Sequence, residues 1–89
     1  DGPIAAFKHA LEKTGAEDFA LEEYEEDAIG SSADAEAIAF VKLRGADGTE
    51  RFGIGFNRNI DQAAVESIVS AMNLLAEARE NVASQREPA

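Results

Sequence analysis

Ala35-Glu36-Ala37-Ile38-Ala39-Phe40-Val41-Lys42-Leu43-Arg44, then Gly45-Ala46-Asp47-Gly48, then Thr49-Glu50-Arg51-Phe52-Gly53-Ile54-Gly55-Phe56: this run, within Asp34–Phe56, decides the fold. Two strand-compatible runs flank a Gly/Asp-rich connection. Gly and Asp tolerate the positive φ that tight turns demand, so the stretch predicts a β-hairpin. In an extended chain Ala35, Ala37, Ala39, Val41 and Leu43 face one way, and Glu36, Ile38, Phe40, Lys42 and Arg44 the other. The second set is polar at its ends and apolar in its middle, so neither face reads as a plain solvent face. On the partner strand Phe52, Ile54 and Phe56 share one face, while Gly53 and Gly55 leave the opposite one almost bare. A sheet that is apolar on both sides needs two covers. Helices supply one, and a second copy of the chain is the expected other.

Upstream of the hairpin, residues 19–29 predict a first strand with Leu21 and Tyr24 as its large apolar members. Gly30-Ser31-Ser32-Ala33-Asp34 reads as a loop by composition. Further upstream Gly2-Pro3 opens a helix, since Pro at the first helical position forfeits no bond that was available. Ile4, Phe7 and Leu11 recur at helical spacing with Ala10 beside them; Lys8, Glu12 and Lys13 face water, and Gly15 caps the end. Downstream, Asn59 is the expected N-cap of a second helix, with Gln62 three residues on in a capping-box arrangement and Asp61 suited to the helix dipole. Ile60, Ala64, Ile68, Ala71, Leu75 and Ala78 form an apolar stripe, flanked by Val65, Val69, Met72 and Ala76. That arc is wide for a helix covering one sheet face, so it should meet another helix too. The order is therefore α-β-β-β-α: an α+β fold with a three-stranded antiparallel sheet, helices packed on one face and the other face used in dimerisation. The ordered unit spans 1–80, and 81–89 is a polar tail expected to fray.

The chain has 89 residues and no cysteine, which removes disulfides, thiolate metal sites and thiol catalysis. A domain this small buries roughly 60–65% of its unfolded surface and is only marginally stable alone. It opens at Asp1, at a helix start without strands of its own, and is read as a piece of a longer protein. A net charge of −10 repels phosphate backbones and anionic lipid, which argues against nucleic-acid or membrane partners. No apolar run approaches a membrane span. From Thr14 to Val41 there is no basic residue, while acids crowd Glu22–Asp27. Calcium binding would need alternating oxygen ligands around a Gly turn, which this strand-like segment lacks; a solvated, self-repelling strand is the simpler reading.

Catalytic constellations are missing. There is no nucleophile elbow, metal-ligand cluster or phosphate loop, and His9 has no carboxylate or Ser at catalytic spacing. Small-ligand binding has more to work with. The first turn of the Gly2-Pro3-Ile4-Ala5 helix presents unpaired N–H groups suited to a carboxylate. Ala28 and Ala35 are small positions flanking Tyr24, and such a set leaves room for a short aliphatic side chain. Against this, Gly-Pro ordinarily just starts a helix and Ala ordinarily just packs.

Four ordered blocks carry a resemblance: Gly2-Pro3-Ile4-Ala5-Ala6-Phe7-Lys8-His9-Ala10-Leu11; Tyr24 through Ala37; Phe52-Gly53-Ile54-Gly55; and Ser70-Ala71-Met72-Asn73. Over about Asp1–Leu75 the chain resembles the C-terminal regulatory (leucine-sensing, dimerising) domain of 2-isopropylmalate synthase. The resemblance implies a parent acyltransferase that condenses acetyl-CoA with 2-oxoisovalerate in a separate, metal-dependent catalytic barrel, in the cytoplasm, for leucine biosynthesis. It implies a non-catalytic chain without a cofactor of its own: the last helix of one βββα unit followed by the whole second unit. It further implies a homodimer, with leucine as feedback effector bound between units. Gly2, Pro3, Ile4 and Ala5 match the helix start at the effector site. Leu21, Tyr24, Ala28 and Ala35 match positions lining its pocket. By the chemistry above, N–H groups after Gly2 would hold the effector carboxylate, Leu21, Ala28 and Ala35 would shape an aliphatic slot, and Tyr24 would close one wall.

The chain departs from the family in places. The family commonly has His where Asp27 stands, Thr or Ser near Ala63-Ala64, and Arg where Leu74 stands. A citramalate synthase domain sensing isoleucine therefore stays open, since the placement of one methylene is worth only about 1–3 kcal/mol. So does a chain that dimerises and binds nothing. An ACT-like amino-acid sensor would run β-α-β-β-α-β, which disagrees with the order read here.

Overall fold

Gly45–Thr49 turns the chain as its composition demands. The Gly45 N–H donates to the Thr49 carbonyl at 2.8 Å, the Gly48 N–H to the Gly45 carbonyl at 3.0 Å, and the Thr49 N–H to Asp47 Oδ1 at 3.0 Å. Gly48 takes φ 88°, a conformation open to glycine at no steric cost. The computed structural model, which describes residues 3–14, 19–30 and 35–86, builds the rest around this hairpin. Its elements are α1 (Pro3–Thr14), β1 (Ala20–Ile29), β2 (Glu36–Arg44), β3 (Glu50–Asn57) and α2 (Ile60–Arg86). The strands form one antiparallel sheet in the order β1-β2-β3. The expected α+β class and α-β-β-β-α order are thus observed. Gly2, the Gly15 cap and loop residues 31–34 lie outside the described residues.

The helices lie on one side of the sheet: α2 packs directly on β2 and β3, and α1 packs chiefly against α2. Val41 and Leu43 of β2 are buried beneath Ala64, Ile68, Ala71, Met72 and Leu75 of α2, Ala10 of α1 joins the same cluster, and Ala39 of β2 is buried as well. Phe7 and Leu11 of α1 pack against it, so α2 meets a second helix as the width of its apolar arc predicts. The predicted line holds at Ala64, Ile68, Ala71 and Leu75, and the buried arc is wider than predicted on one side. Ile60 and Ala76 are exposed, while Ala63 and Ser67 are fully buried. The reason lies across the interface, in the glycines of β3. A Cβ on Gly53 would run into the Ser67 carbonyl and come within 2.7 Å of Ala71 N; one on Gly55 would run into the Ala63 carbonyl and come within 2.7 Å of Ser67 N. The backbone of α2 therefore rests on the backbone of β3, and the helix turns its smallest residues (Ala63, Ser67, Ala71) toward the strand. Ser67 Oγ donates to the Ala64 carbonyl at 2.7 Å, so its burial leaves no unsatisfied hydroxyl.

At the start of α2, Asn59 Oδ1 accepts the Gln62 N–H at 3.1 Å, the expected N-cap. The reciprocal half of the capping box is replaced: the Asn59 N–H donates to Asn57 Oδ1 at 3.0 Å, the place a Gln62 side chain would take. Asn57 Nδ2 also reaches Glu66 Oε2 at 2.9 Å and ties the end of β3 to the second turn of the helix. At its other end α2 runs on to Arg86, into the polar stretch where the expected tail begins.

Gly53→Ala should lower stability by about 3 kcal/mol or more, because neither backbone can yield without parting helix from sheet. A urea midpoint equal to that of the parent chain would show that the two are not in contact. Acid should also weaken the turn. The Thr49 N–H holds the Asp47 carboxyl below its ordinary value of 3.8. A lowered folded-state value means the contribution is full above the ordinary value and is lost as pH falls through the lowered one. Asp47→Ala should flatten that part of the acid limb in a denaturation series against pH.

Candidate functional site

Two surfaces differ from an ordinary domain exterior: the β1 side of the covered face, where the sequence reading places an effector, and the open face of the sheet.

On β1 the pairing register runs Leu21↔Leu43, Glu23↔Lys42, Tyr24↔Val41, with a shift between Leu21 and Glu23. Glu22 is the extra residue of a β-bulge. In a regular strand Leu21 and Tyr24, three apart, would face opposite ways. The bulge turns both toward the helices, where both pack on the core. Sequence reading missed this bulge, although two large apolar residues at odd spacing in one strand are its signal. Glu22 itself is displaced toward Arg44, at 3.7 Å from its Nη2. The half-buried Tyr24 donates its hydroxyl to Glu26 Oε2 at 2.8 Å. Burial, and after it the Glu26 carboxylate, push the Tyr24 hydroxyl well above its ordinary value, so it remains a proton donor across the physiological range.

The remaining candidates are more dispersed. Ala28 lies further along β1, in phase with Tyr24 and paired with Ala37, but exposed; its N–H is held by Asp27 Oδ1 at 2.8 Å. Ala35, half-buried, immediately precedes β2 in phase with Ala37 and Ala39. Pro3, Ile4 and Ala5 form the first turn of α1, with Ala5 exposed, and Gly2 lies outside the described residues. The structure thus joins Leu21 and Tyr24 through the common core and aligns Ala28 and Ala35 with them by strand phase. An open groove of about 720 Å³ lies elsewhere, along α2, with Val65, Val69 and Leu74 among its lining residues and Lys13 of α1 at its side. Among the described residues no group of His, Asp or Glu could hold a metal, and no helix is long and apolar enough to cross a membrane.

The open face carries Ile38 and Phe40 of β2 and Phe52, Ile54 and Phe56 of β3, opposite the helices. Phe40, Phe52, Ile54 and Phe56 are 41–64% exposed. Neighbouring apolar side chains left to water at this density mark an interaction surface rather than scattered exposure. At its lower end Lys42 Nζ stands 3.4 Å from Glu23 Oε2, 3.6 Å from Glu50 Oε2 and 5.9 Å from the centre of the Phe52 ring. Those carboxylates, Glu23 first, raise the ammonium above its ordinary value.

Residues 1–76 match the sequence profile of the LeuA allosteric (dimerisation) domain. The chain is also similar to several 2-isopropylmalate synthases. That of Azoarcus sp. (strain BH72) is 47% identical over 81 residues, covering 90% of this chain and 14% of the relative. That of Rhodospirillum rubrum is 34% identical over 76 residues, covering 85% of this chain and 14% of the relative. That of Corynebacterium glutamicum (strain R) is 40% identical over 73 residues, covering 82% and 12%. The chain spans about 14% of the length of the first two of these relatives.

Tyr24 is the one tyrosine in the chain, so its ionisation can be read without interference. The folded chain should show no tyrosinate absorbance near the ordinary value of 10.0. Deprotonation should appear only together with alkaline unfolding, because a raised folded-state value withdraws stability as pH climbs past the unfolded one. A reversible tyrosinate transition near the ordinary value with far-UV dichroism intact would place Tyr24 in water.

Proposed function

This chain belongs to the LeuA allosteric (dimerisation) domain family, and from that premise we propose that it is the feedback-regulatory and dimerising part of a 2-isopropylmalate synthase. In this reading it performs no catalysis. The parent enzyme condenses acetyl-CoA with 2-oxoisovalerate in a separate metal-dependent barrel in the cytoplasm, and this module reports leucine to it. The observation that carries the reading is the sheet with one face under helices and the other bare. The bare face is what a dimerising module must offer.

For the effector, the bulged strand supplies two walls. Leu21 gives an aliphatic surface, and Tyr24 a rigid ring whose polar tip is already engaged by Glu26. Ala28 and Ala35 keep the neighbouring strand positions short, which leaves space for a branched side chain when an adjoining unit closes over them. The first turn of α1, at Pro3–Ala5, offers backbone N–H groups for a carboxylate. Binding between units explains why feedback and assembly would reside in one module: a ligand that touches two units favours the arrangement in which both touch it.

In the full-length synthase Ala35→Val should weaken leucine binding at least tenfold, about 1.4 kcal/mol, by filling the slot, while the domain still unfolds cooperatively. Calorimetric titration with leucine and isoleucine, with activity as a second readout, checks it. Undiminished leucine affinity in the variant would exclude the pocket, and a preference for isoleucine in the parent protein would shift the reading to a citramalate synthase.

A further inference from the structure

We propose that the open sheet face meets a second copy of this chain off-centre, with β2 and β3 of one copy over β3 and β2 of the other and both β1 strands left outside in water. The inference rests on the dimerising reading above and adds to it where the two-fold axis must pass.

The registers lay the open face out in columns. Phe52, Ile54 and Phe56 stand along β3, and Phe40 and Ile38 of β2 pair with Ile54 and Phe56. Along β1, Glu23, Glu25 and Asp27 pair with Lys42, Phe40 and Ile38. Those three acids are exposed. Grease therefore fills the β2–β3 side of the face, and carboxylates take the middle of the β1 side, with Ile29 the one large apolar residue there, at the strand's end.

Two identical copies can stack centred on β2 in two ways. One sets the β1 carboxylates over the partner's Phe and Ile, stripping water from Glu25 and Asp27, which no cation of the sheet engages among the ion pairs described. The other sets carboxylates over carboxylates in a chain already at −10. Moving the axis to lie between β2 and β3 removes both conflicts. Ile38 and Phe40 then lie over the partner's Phe56 and Ile54 at ordinary sheet-stacking distance, and the acid column overhangs the edge. Lys42 does not reverse this preference. Glu23 and Glu50 of its own sheet engage its ammonium, so it marks the border of the apolar block.

The absence of cysteine makes the test direct. Ile54→Cys and Glu25→Cys are made singly, both at exposed positions, and the full chain is labelled with a thiol reagent at concentrations spanning self-association, followed by sedimentation equilibrium. Labelling of Ile54→Cys should slow in proportion to the dimer fraction, and labelling of Glu25→Cys should keep its monomer rate. Equal protection of both sites in a dimer would overturn the off-centre axis while leaving the dimerising reading standing. So would protection of Glu25→Cys alone, which would also point to a basic partner for the acid column. A dimer that protects neither site would show that this face is not the contact. A chain that stays monomeric at high concentration would sink the dimerising reading and this inference with it.

Discussion

The contact between two backbones, α2 resting on β3 at Gly53 and Gly55, constrains the rest of the molecule. Helices usually stand off a sheet on a cushion of side chains. Here the cushion is absent on one strand, since a single Cβ at either glycine would overlap a helix carbonyl. The helix must therefore present Ala63, Ser67 and Ala71 to the strand, and its larger residues, Ile68, Met72 and Leu75, join the core over Val41 and Leu43. With only hydrogen at Gly53 and Gly55 in the middle of its inner face, β3 carries its apolar bulk on the outer one. Phe52, Ile54 and Phe56 are exposed as the counterpart of the glycines, and the demand for a second cover follows from the first cover's closeness.

The β1 side of the covered face shows the same economy of position. One extra residue, Glu22, lets Leu21 and Tyr24 share a face that strict alternation would divide between them. The consequence is a wall of two large side chains followed by small residues along the strand, which reads as one boundary of a niche. The family to which the chain belongs is described by both allostery and dimerisation.

Much of this was legible in the sequence because period-two patterns are robust. The two faces of β2, the apolar column of β3 and the Gly/Asp turn follow from residue order, and each appears where expected. The helices were legible as elements and, at Ala64, Ile68, Ala71 and Leu75, in phase. Ile60 is exposed, and Ala63 and Ser67 are buried beside the stripe, because the partner surface there is glycine and rewards smallness rather than hydrophobicity. The bulge at Glu22 has no residue type that marks it and shows only in the odd spacing of Leu21 and Tyr24. The replacement of half the capping box by Asn57 depends on where β3 ends relative to α2, a tertiary fact. The proposed effector positions came from resemblance, and the strand phases of Leu21, Tyr24, Ala28 and Ala35 are consistent with one another.

α2 spans 27 residues, and its last turns extend beyond Leu75, the final residue in the core cluster, by about 16 Å at the usual helical rise. Ordinarily a helix absorbs a push at its tip by letting interdigitated side chains change rotamer. Seated on bare glycine and pinned at its start by Asn57, Asn59 and Glu66, this one has little slack to roll or slide. Its orientation is therefore set at one end, by the cap and the two glycines, while the turns beyond Leu75 lie past the core.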